Sequence, residues 1–450
     1  MTLYDTDSIL QKGKVFPPEE SKDRLTIYKQ NAYLFDGDHT KVYVSLLRLF
    51  HSSTSETNKI ILCLNWHRRL SCLWADLLVG KTPDVKVDEA NDLAVKELRR
   101  DSQMWPEVYK ALIDTSRFGT GLIKVYKDED GLVHAQAVAP SKWFPIQDSN
   151  GQILEHLLAW TSESYDNHVL TTYLHCEIHR KGEVETRKYL FKEGKIISEA
   201  YDVEIDDTGI DDFLVVPLPN LLTTTNILGC DDYTSLDPII KRLETRLTRL
   251  GRVLDIHAEP AFAVPEDAVS KDPTTGEMNY DSNLRIFPMA EGAQVPQYIT
   301  WDAGLTASFQ EIAFLMDQLY AISETCPQAF GQSVSGTAES GTSLRLRMMA
   351  PLKRVERLRI NVEPALKKLM WLLAQLAGIN LDIREISIGF NDGLPEDRYQ
   401  DMQIESMAVM NKITSTKAAA KRIYRLTDDQ SDEDQKQMAE EAKVNGGGLF

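Results

Sequence analysis

The stretch from Cys326 to Ala377 constrains this chain more than any other. It opens on small and polar residues dotted with glycine, from Gly331 to Gly341. It then enters a pattern in which Leu344, Met348, Leu352, Val355, Leu358, Val362, Leu366, Leu369, Leu373 and Leu376 recur at steps of three and four. That spacing lines one face of an α-helix. A helix over 342–377 would run roughly 50 Å, so it needs a large body to pack against. Pro351 and Pro364 fall inside the pattern. Each removes a ladder hydrogen bond and crowds the turn before it, so the reading is a helix kinked at both positions. Arg345, Arg347, Lys353, Arg354, Arg357, Arg359, Lys367 and Lys368 ride on the same helix. They suit either phosphate or the acidic face of a neighbouring subunit, and the charge of the whole chain favours the second.

That charge is −18 over 450 residues, of which 42% are hydrophobic and 26% charged. The length calls for two or more domains. Sequence-specific DNA binding is disfavoured, because it needs a basic patch. Cys63, Cys72, Cys176, Cys230 and Cys326 are scattered with no CxxC pair, which argues against a zinc module or a disulfide framework and fits a reducing compartment. The first residues lack the basic flank and apolar run of a signal peptide. No apolar run has the length of a membrane span. The expectation is a soluble intracellular protein, or part of an assembly built inside a cell.

Along the chain, residues 1–56 read as polar and irregular, with turn chemistry at Phe35 to His39. Helices are expected over 58–78 and over 91–117, the second with an irregular turn near Trp105 and Pro106. The period then changes to two. Strands are expected over 121–127, 132–138, 153–160, 169–180, 185–192 and 195–201, with a corner over 140–145. Residues 1–230 therefore read as α+β, helices first and then an antiparallel sheet. Asp237 and Pro238 are a good cap and first residue for a helix over 238–257. A proline-broken insert over 260–301 follows, with strand candidates near 285–287 and 297–301, and then a helix over 304–324. After the long helix come a strand over 382–390, a turn over 391–395 and a charged helical tail over 397–444.

Catalytic signatures are missing. There is no GxxxxGK[ST] loop, no GxSxG elbow and no HExxH, and Gly119-Thr-Gly121 lacks the third glycine of a dinucleotide fingerprint. The best metal-like group is His175, Glu177 and His179, which alternate onto one face of a strand. An exposed polar strand face is the plainer explanation. The carboxylates of 202–212, 428–434 and 440–441 read as solvated surface. The Trp and Tyr residues over 66–74, with those at 143 and 160, read as core.

The order of elements, with a few short motifs, resembles the portal proteins of tailed bacteriophages. The carriers are Leu73 to Gly80 with Pro83; Ser116 to Tyr126 followed by a hairpin and Pro140 to Asp148; Gly331 to Gly341 leading into Ser340 to Leu344; and Phe390 to Pro395 before the acidic tail. They span about 60 to 445, while residues 1–56 match nothing in that pattern. The resemblance implies a multidomain α+β subunit. Its parts would be an N-terminal segment (1–56), a wing of helices and antiparallel sheet (57–233), a first stem helix (234–258), a small α/β clip (259–303) and a second stem helix (304–325). A tunnel loop (326–341), a long kinked helix completing the wing (342–394) and a helical crown with a flexible C-terminus (395–450) would follow.

The resemblance also implies a dodecameric ring at one capsid vertex, through which double-stranded DNA is packaged and ejected. Gln332, Ser333, Val334, Ser335, Gly336, Thr337, Ala338 and Glu339 would line the channel. The clip would contact terminase and the head-completion adaptor, with Glu266, Asp267, Lys271, Asp272, Glu277 and Glu291 as its charged residues. Major capsid and scaffolding proteins would be further partners, with no cofactor, no membrane and no enzymatic activity. Two other readings stay open: a metal-dependent nucleic-acid-processing enzyme, and another capsid structural or adaptor protein.

Overall fold

The computed structural model describes residues 5–47, 61–166, 169–200, 203–258, 262–265, 286–289, 302–332, 341–391, 398–424 and 428–444. In chain order the helices and strands begin with α1 (Thr6–Ile9), α2 (Lys22–Asp36), α3 (Val44–Leu47) and α4 (Trp66–Ala75, prolonged by a π-turn, Asp76–Gly80). Strand β1 (Asp84–Lys86), α5 (Asp92–Asp101) and α6 (Met104–Phe118) precede the sheet-forming part. That part holds β2 (Thr120–Lys127), β3 (Val133–Val138), β4 (Trp143–Gln147), β5 (Ile153–Asp166), β6 (Val169–His179), β7 (Glu183–Lys192), β8 (Lys195–Glu199), β9 (Glu204–Asp207) and β10 (Val215–Pro219). Helix α7 (Asp237–Ala258), the short parallel pair β11 (Phe262–Pro265) and β12 (Ile286–Met289), and α8 (Asp302–Ile322) come next. Helices α9 (Gly341–Arg347) and α10 (Met349–Leu376), strand β13 (Ser387–Gly389), and α11 (Arg398–Met410), α12 (Thr416–Tyr424) and α13 (Asp428–Val444) complete the chain.

The chain mixes helices with antiparallel sheet, as its two sequence periods require. Strands β10-β2-β3 form one antiparallel sheet, and β4-β5-β6-β7-β8, with β9 on β7, form another. Alternation along β2 divides its side chains between two partners. Ile123 and Val125 enter the main core with α4, α6 and α10. Leu122 and Val215 join Trp143 and Leu158 of the larger sheet. The side of α10 carrying Val355, Leu358, Val362, Leu366, Leu369 and Leu373 is buried, and each such side chain contributes about 1.5–3 kcal/mol. Gly121 is where α6 crosses β2: a Cβ there would stand 1.9 Å from the Ala111 carbonyl oxygen.

The N-terminal segment is more ordered than its composition indicates. Gly37 ends α2 in the left-handed conformation, its N–H reaching the Tyr33 carbonyl, so the turn chemistry there is a helix cap. Phe16 packs on Phe144 of β4, with ring centroids 4.9 Å apart, and Leu10 joins the same sheet-face cluster. The apolar residues of α2 are spread around the helix rather than gathered on one face, so its fold rests on tertiary contact.

The long helix is broken as well. Met348 interrupts it, and Pro351 is the third residue of α10. In a first turn the proline loses no intrahelical bond, so it marks a helix start, where the pattern had indicated a mid-helix kink. Pro106 sits in the same way at the third position of α6, and the break expected at Trp105–Pro106 lies upstream at Ser102–Gln103. Pro364 does lie inside α10. Among the described residues no helix is long and apolar enough to cross a membrane.

Candidate functional site

Helix α7 and the ends of α8 and α10 meet the rest of the protein at a junction rich in buried polar groups. Helix α7 buries its first half through Ile240, Leu243 and Glu244. Asp237 does not act as a simple cap there. Its carboxylate accepts from Tyr43 Oη (3.1 Å) and His67 Nε2 (2.9 Å), pinning the start of α7 to α3 and α4. About two turns further on, Glu244 Oε1 accepts the Leu64 N–H (3.0 Å) and faces His39 Nδ1 at 2.7 Å. Cys63 is near, its thiol pushed up mainly by burial against the Asn65 N–H, with Glu244 and Asp38 adding to the rise.

A second node holds α10. Arg354 is buried, and its Nη2 donates to Asp232 Oδ1 (2.7 Å) and to Asn220 Oδ1. Asp232 also accepts from Ser116 Oγ and Asn220 Nδ2. A pocket of about 270 Å³ opens beside it, lined by Trp74, Asp232, Ile322, Glu324, Arg354 and Arg357. Arg357 pairs with Glu324 across it. Phe330 is held against Trp66, with centroids 4.8 Å apart, under the Arg69 guanidinium. Phe330 is thus held by an aromatic cluster, and the second turn of α10 by a buried ion pair.

The basic residues of the long helix are mostly satisfied inside the chain. Lys353 meets Glu356, Lys367 meets Glu363, Lys368 meets Asp212, and Arg359 donates to the Asn391 carbonyl. Much of the helix's charge is thus taken up by partners within the same chain.

Of the residues expected to line a channel, Gln332 is exposed, its N–H bonded to the Pro327 carbonyl. Ser333, Val334, Ser335, Gly336, Thr337, Ala338 and Glu339 lie outside the described residues, as do Glu266, Asp267, Lys271, Asp272, Glu277 and Glu291 of the insert. His175, Glu177 and His179 share a strand face as expected, but other work occupies them. His175 bonds Ser162 Oγ (2.7 Å) and stacks on Trp160, while Glu177 pairs with Lys124 of the facing sheet (2.8 Å) and with His179. Burial pushes the Glu177 carboxyl up, yet these two partners hold it down at about 2. Among the described residues, the His/Cys/Asp/Glu group whose ligand atoms all lie within 4.8 Å of one another is a different one: His39, Cys63 and Glu244. Sequence reading had no route to it, because its members are far apart in the chain and share no motif spacing.

A family model described as phage portal protein, SPP1 Gp6-like, matches residues 18–447. The chain belongs to that portal family. Similar solved structures include a chain from the neck of an empty GTA particle computed with C6 symmetry, at 13% identity over 85% of this chain and 93% of that one, with a TM-score of 0.42. The neck of a native GTA particle computed with C12 symmetry matches at 12% identity over 84% and 93%, TM-score 0.40. The virion of the native gene transfer agent (GTA) particle matches at 12% over 85% and 92%, TM-score 0.41. Likeness at that level carries nothing about the oligomeric state of this portal-family chain. No curated protein matches it.

Proposed function

We propose that this chain is the subunit of a closed homo-oligomeric ring, a dodecamer at one capsid vertex, which forms the channel for packaging and ejecting double-stranded DNA. The observation that carries this reading is the portal-family match over 18–447. In it, residues 57–233 and 342–394 make the wing, α7 and α8 the stem, 259–303 the clip, 326–341 the tunnel loop and 395–450 the crown. The clip docks terminase during packaging and the head-completion adaptor afterwards, and the wing faces the major capsid and scaffolding proteins.

Two physical features fit. Glu311 ties α8 to Arg242 and Arg246 of α7 at 2.8 Å each, yet Phe309, Phe314, Val253 and Leu254 stay exposed on the pair. Apolar surface of that kind calls for a partner, and repeated head-to-tail contact between copies closes a ring. The net charge of −18 suits a conduit, since each phosphate neutralised by Lys or Arg adds salt-dependent grip and would slow sliding. Electron microscopy of the purified protein tests the ring, and annular particles are expected. Placing Trp at Val334 and Gly336 tests the channel: rings should still form and enter proheads while packaging slows or stops. Unchanged packaging would place 331–341 away from the DNA path.

A further inference from the structure

We propose that His39, Cys63 and Glu244 form a three-ligand zinc(II) site that ties three separate parts of the chain together at the base of α7. Among the described residues their donor atoms all fall within 4.8 Å of one another. His39 is buried, and its Nε2 lies 2.9 Å from the Leu34 carbonyl oxygen. A carbonyl only accepts, so Nε2 carries the hydrogen and Nδ1 is the nitrogen left to face Glu244. Proteins orient metal-binding imidazoles in this way, by bonding the distal N–H to a carbonyl or carboxylate.

Glu244 supplies the second, independent observation. It is wholly buried on α7, and its Oε2 has no hydrogen-bond partner among the described residues. A buried carboxylate oxygen left without a partner is costly, and a cation would remove that cost. The neighbouring His67, edge-on to His39 with ring centroids 5.2 Å apart, also has a buried ring nitrogen without a partner, Nδ1. Cys63 is partly exposed and makes a long contact, 3.5 Å, to the Gly37 carbonyl besides the Asn65 N–H, so the third donor stands on the solvent side where an ion enters.

The donor set selects the ion. Imidazole nitrogen, thiolate sulfur and carboxylate oxygen suit zinc, whereas calcium and magnesium take oxygen ligands. Zinc bonds of about 2.0–2.3 Å set tetrahedral edges of about 3.3–3.8 Å. The group reaches that size when the 2.7 Å His39–Glu244 contact opens as the ion replaces its proton and the separations of up to 4.8 Å close in. Water completes the fourth position. The ligands come from the turn after α2, from the segment leading into α4 and from α7, and His39 and Glu244 are 205 residues apart in sequence. Binding would therefore add to folding free energy and fix α7 to the body beneath it.

The test uses the full chain, dialysed against zinc and then against buffer. Metal content is measured by mass spectrometry, melting is followed with and without a chelator, and cobalt(II) is exchanged in to read its absorption. The expected result is about one zinc per chain, a melting temperature that the chelator lowers, and a thiolate-to-cobalt charge-transfer band. Cys63→Ser, at an exposed position, should keep the circular dichroism of the parent while losing the band and the chelator effect. Glu244→Gln should lower the zinc retained. Wild-type protein that holds no zinc, with melting indifferent to zinc and chelator, would overturn the proposal. So would a cobalt band and zinc content unchanged in Cys63→Ser.

Discussion

At the residue scale, single buried polar groups carry consequences that their neighbours in sequence do not announce. His156 accepts a hydrogen bond from the Trp143 indole N–H at Nδ1 (3.1 Å) and meets the edge of Phe213. Burial first, then His179 and Lys368, hold its imidazole down at about 3, with Asp212 pulling the other way. The same group titrates at about 6.5 in an unfolded chain. Below that pH the unfolded chain binds a proton that the fold refuses. The contribution is whole above about 6.5 and falls by about 1.4 kcal/mol per pH unit toward 3. His156→Gln keeps an acceptor without the titration. Between pH 6.5 and 5, wild type should lose about 2 kcal/mol more than this variant, read as diverging melting temperatures, and parallel curves would refute the assignment. Glu177 loses its share lower, as pH falls from its ordinary range toward about 2. Arg354 is a second case. Arg354→Ala strands Asp232 and Asn220 and should cost about 3–5 kcal/mol, visible as a large drop in melting temperature. A shift no greater than that of an exposed Lys353→Ala control would show that the node is dispensable.

At the element scale, helix boundaries and close crossings decide the architecture. Pro106 and Pro351 both stand third in their helices, because the first N–H groups of a helix have no partner within it. Read as an irregular turn at Pro106 and a kink at Pro351, they misplace the breaks by about one turn of α-helix. The glycines of Gly119-Thr-Gly121 also find their reason at this scale. Gly119 has φ +87° and backs onto Gly229, and Gly121 lets the backbones of α6 and β2 touch. Gly121→Ala places a methyl 1.9 Å from the Ala111 oxygen, a backbone atom that cannot swing aside. It should therefore cost about 3 kcal/mol or more, the upper range for overpacking. Thermal melting and soluble yield report it, and a variant as stable as the parent would mean that α6 shifts freely on the sheet.

At the scale of the whole molecule, apolar positions of α7 and α8, Val253, Leu254, Phe309 and Phe314 among them, stay exposed among the described residues. If copies pack there, Phe309→Ser with Phe314→Ser should leave the circular dichroism of the wild type and shift light scattering from a large assembly toward monomer. Rings that persist at low protein concentration would move the interface elsewhere. The last three helices are joined in turn, α11 to α12 through Glu405 and Arg422 and α12 to α13 through Lys417 and Asp432.

The sequence by itself determined the order and type of most elements. Periods of 3.6 and 2 over α6 through β8, and over α7, α8 and α10, are local consequences of which side chains must be buried together, and so are legible one window at a time. It also carried the family, because the order of elements with a few turn motifs persists along the chain. Only the tertiary structure decided that Leu10 and Phe16 pack on the larger sheet while Leu34, Tyr43 and Leu46 join the main core, since the apolar residues of α2 are spread around its axis and declare no single face. Only the tertiary structure paired Arg354 with Asp232, gave Lys124 to Glu177, and brought His39, Cys63 and Glu244 together. Those contacts join residues from distant parts of the chain, and the energy that selects them, the cost of a buried charge left alone, exists only once a core has formed to bury it.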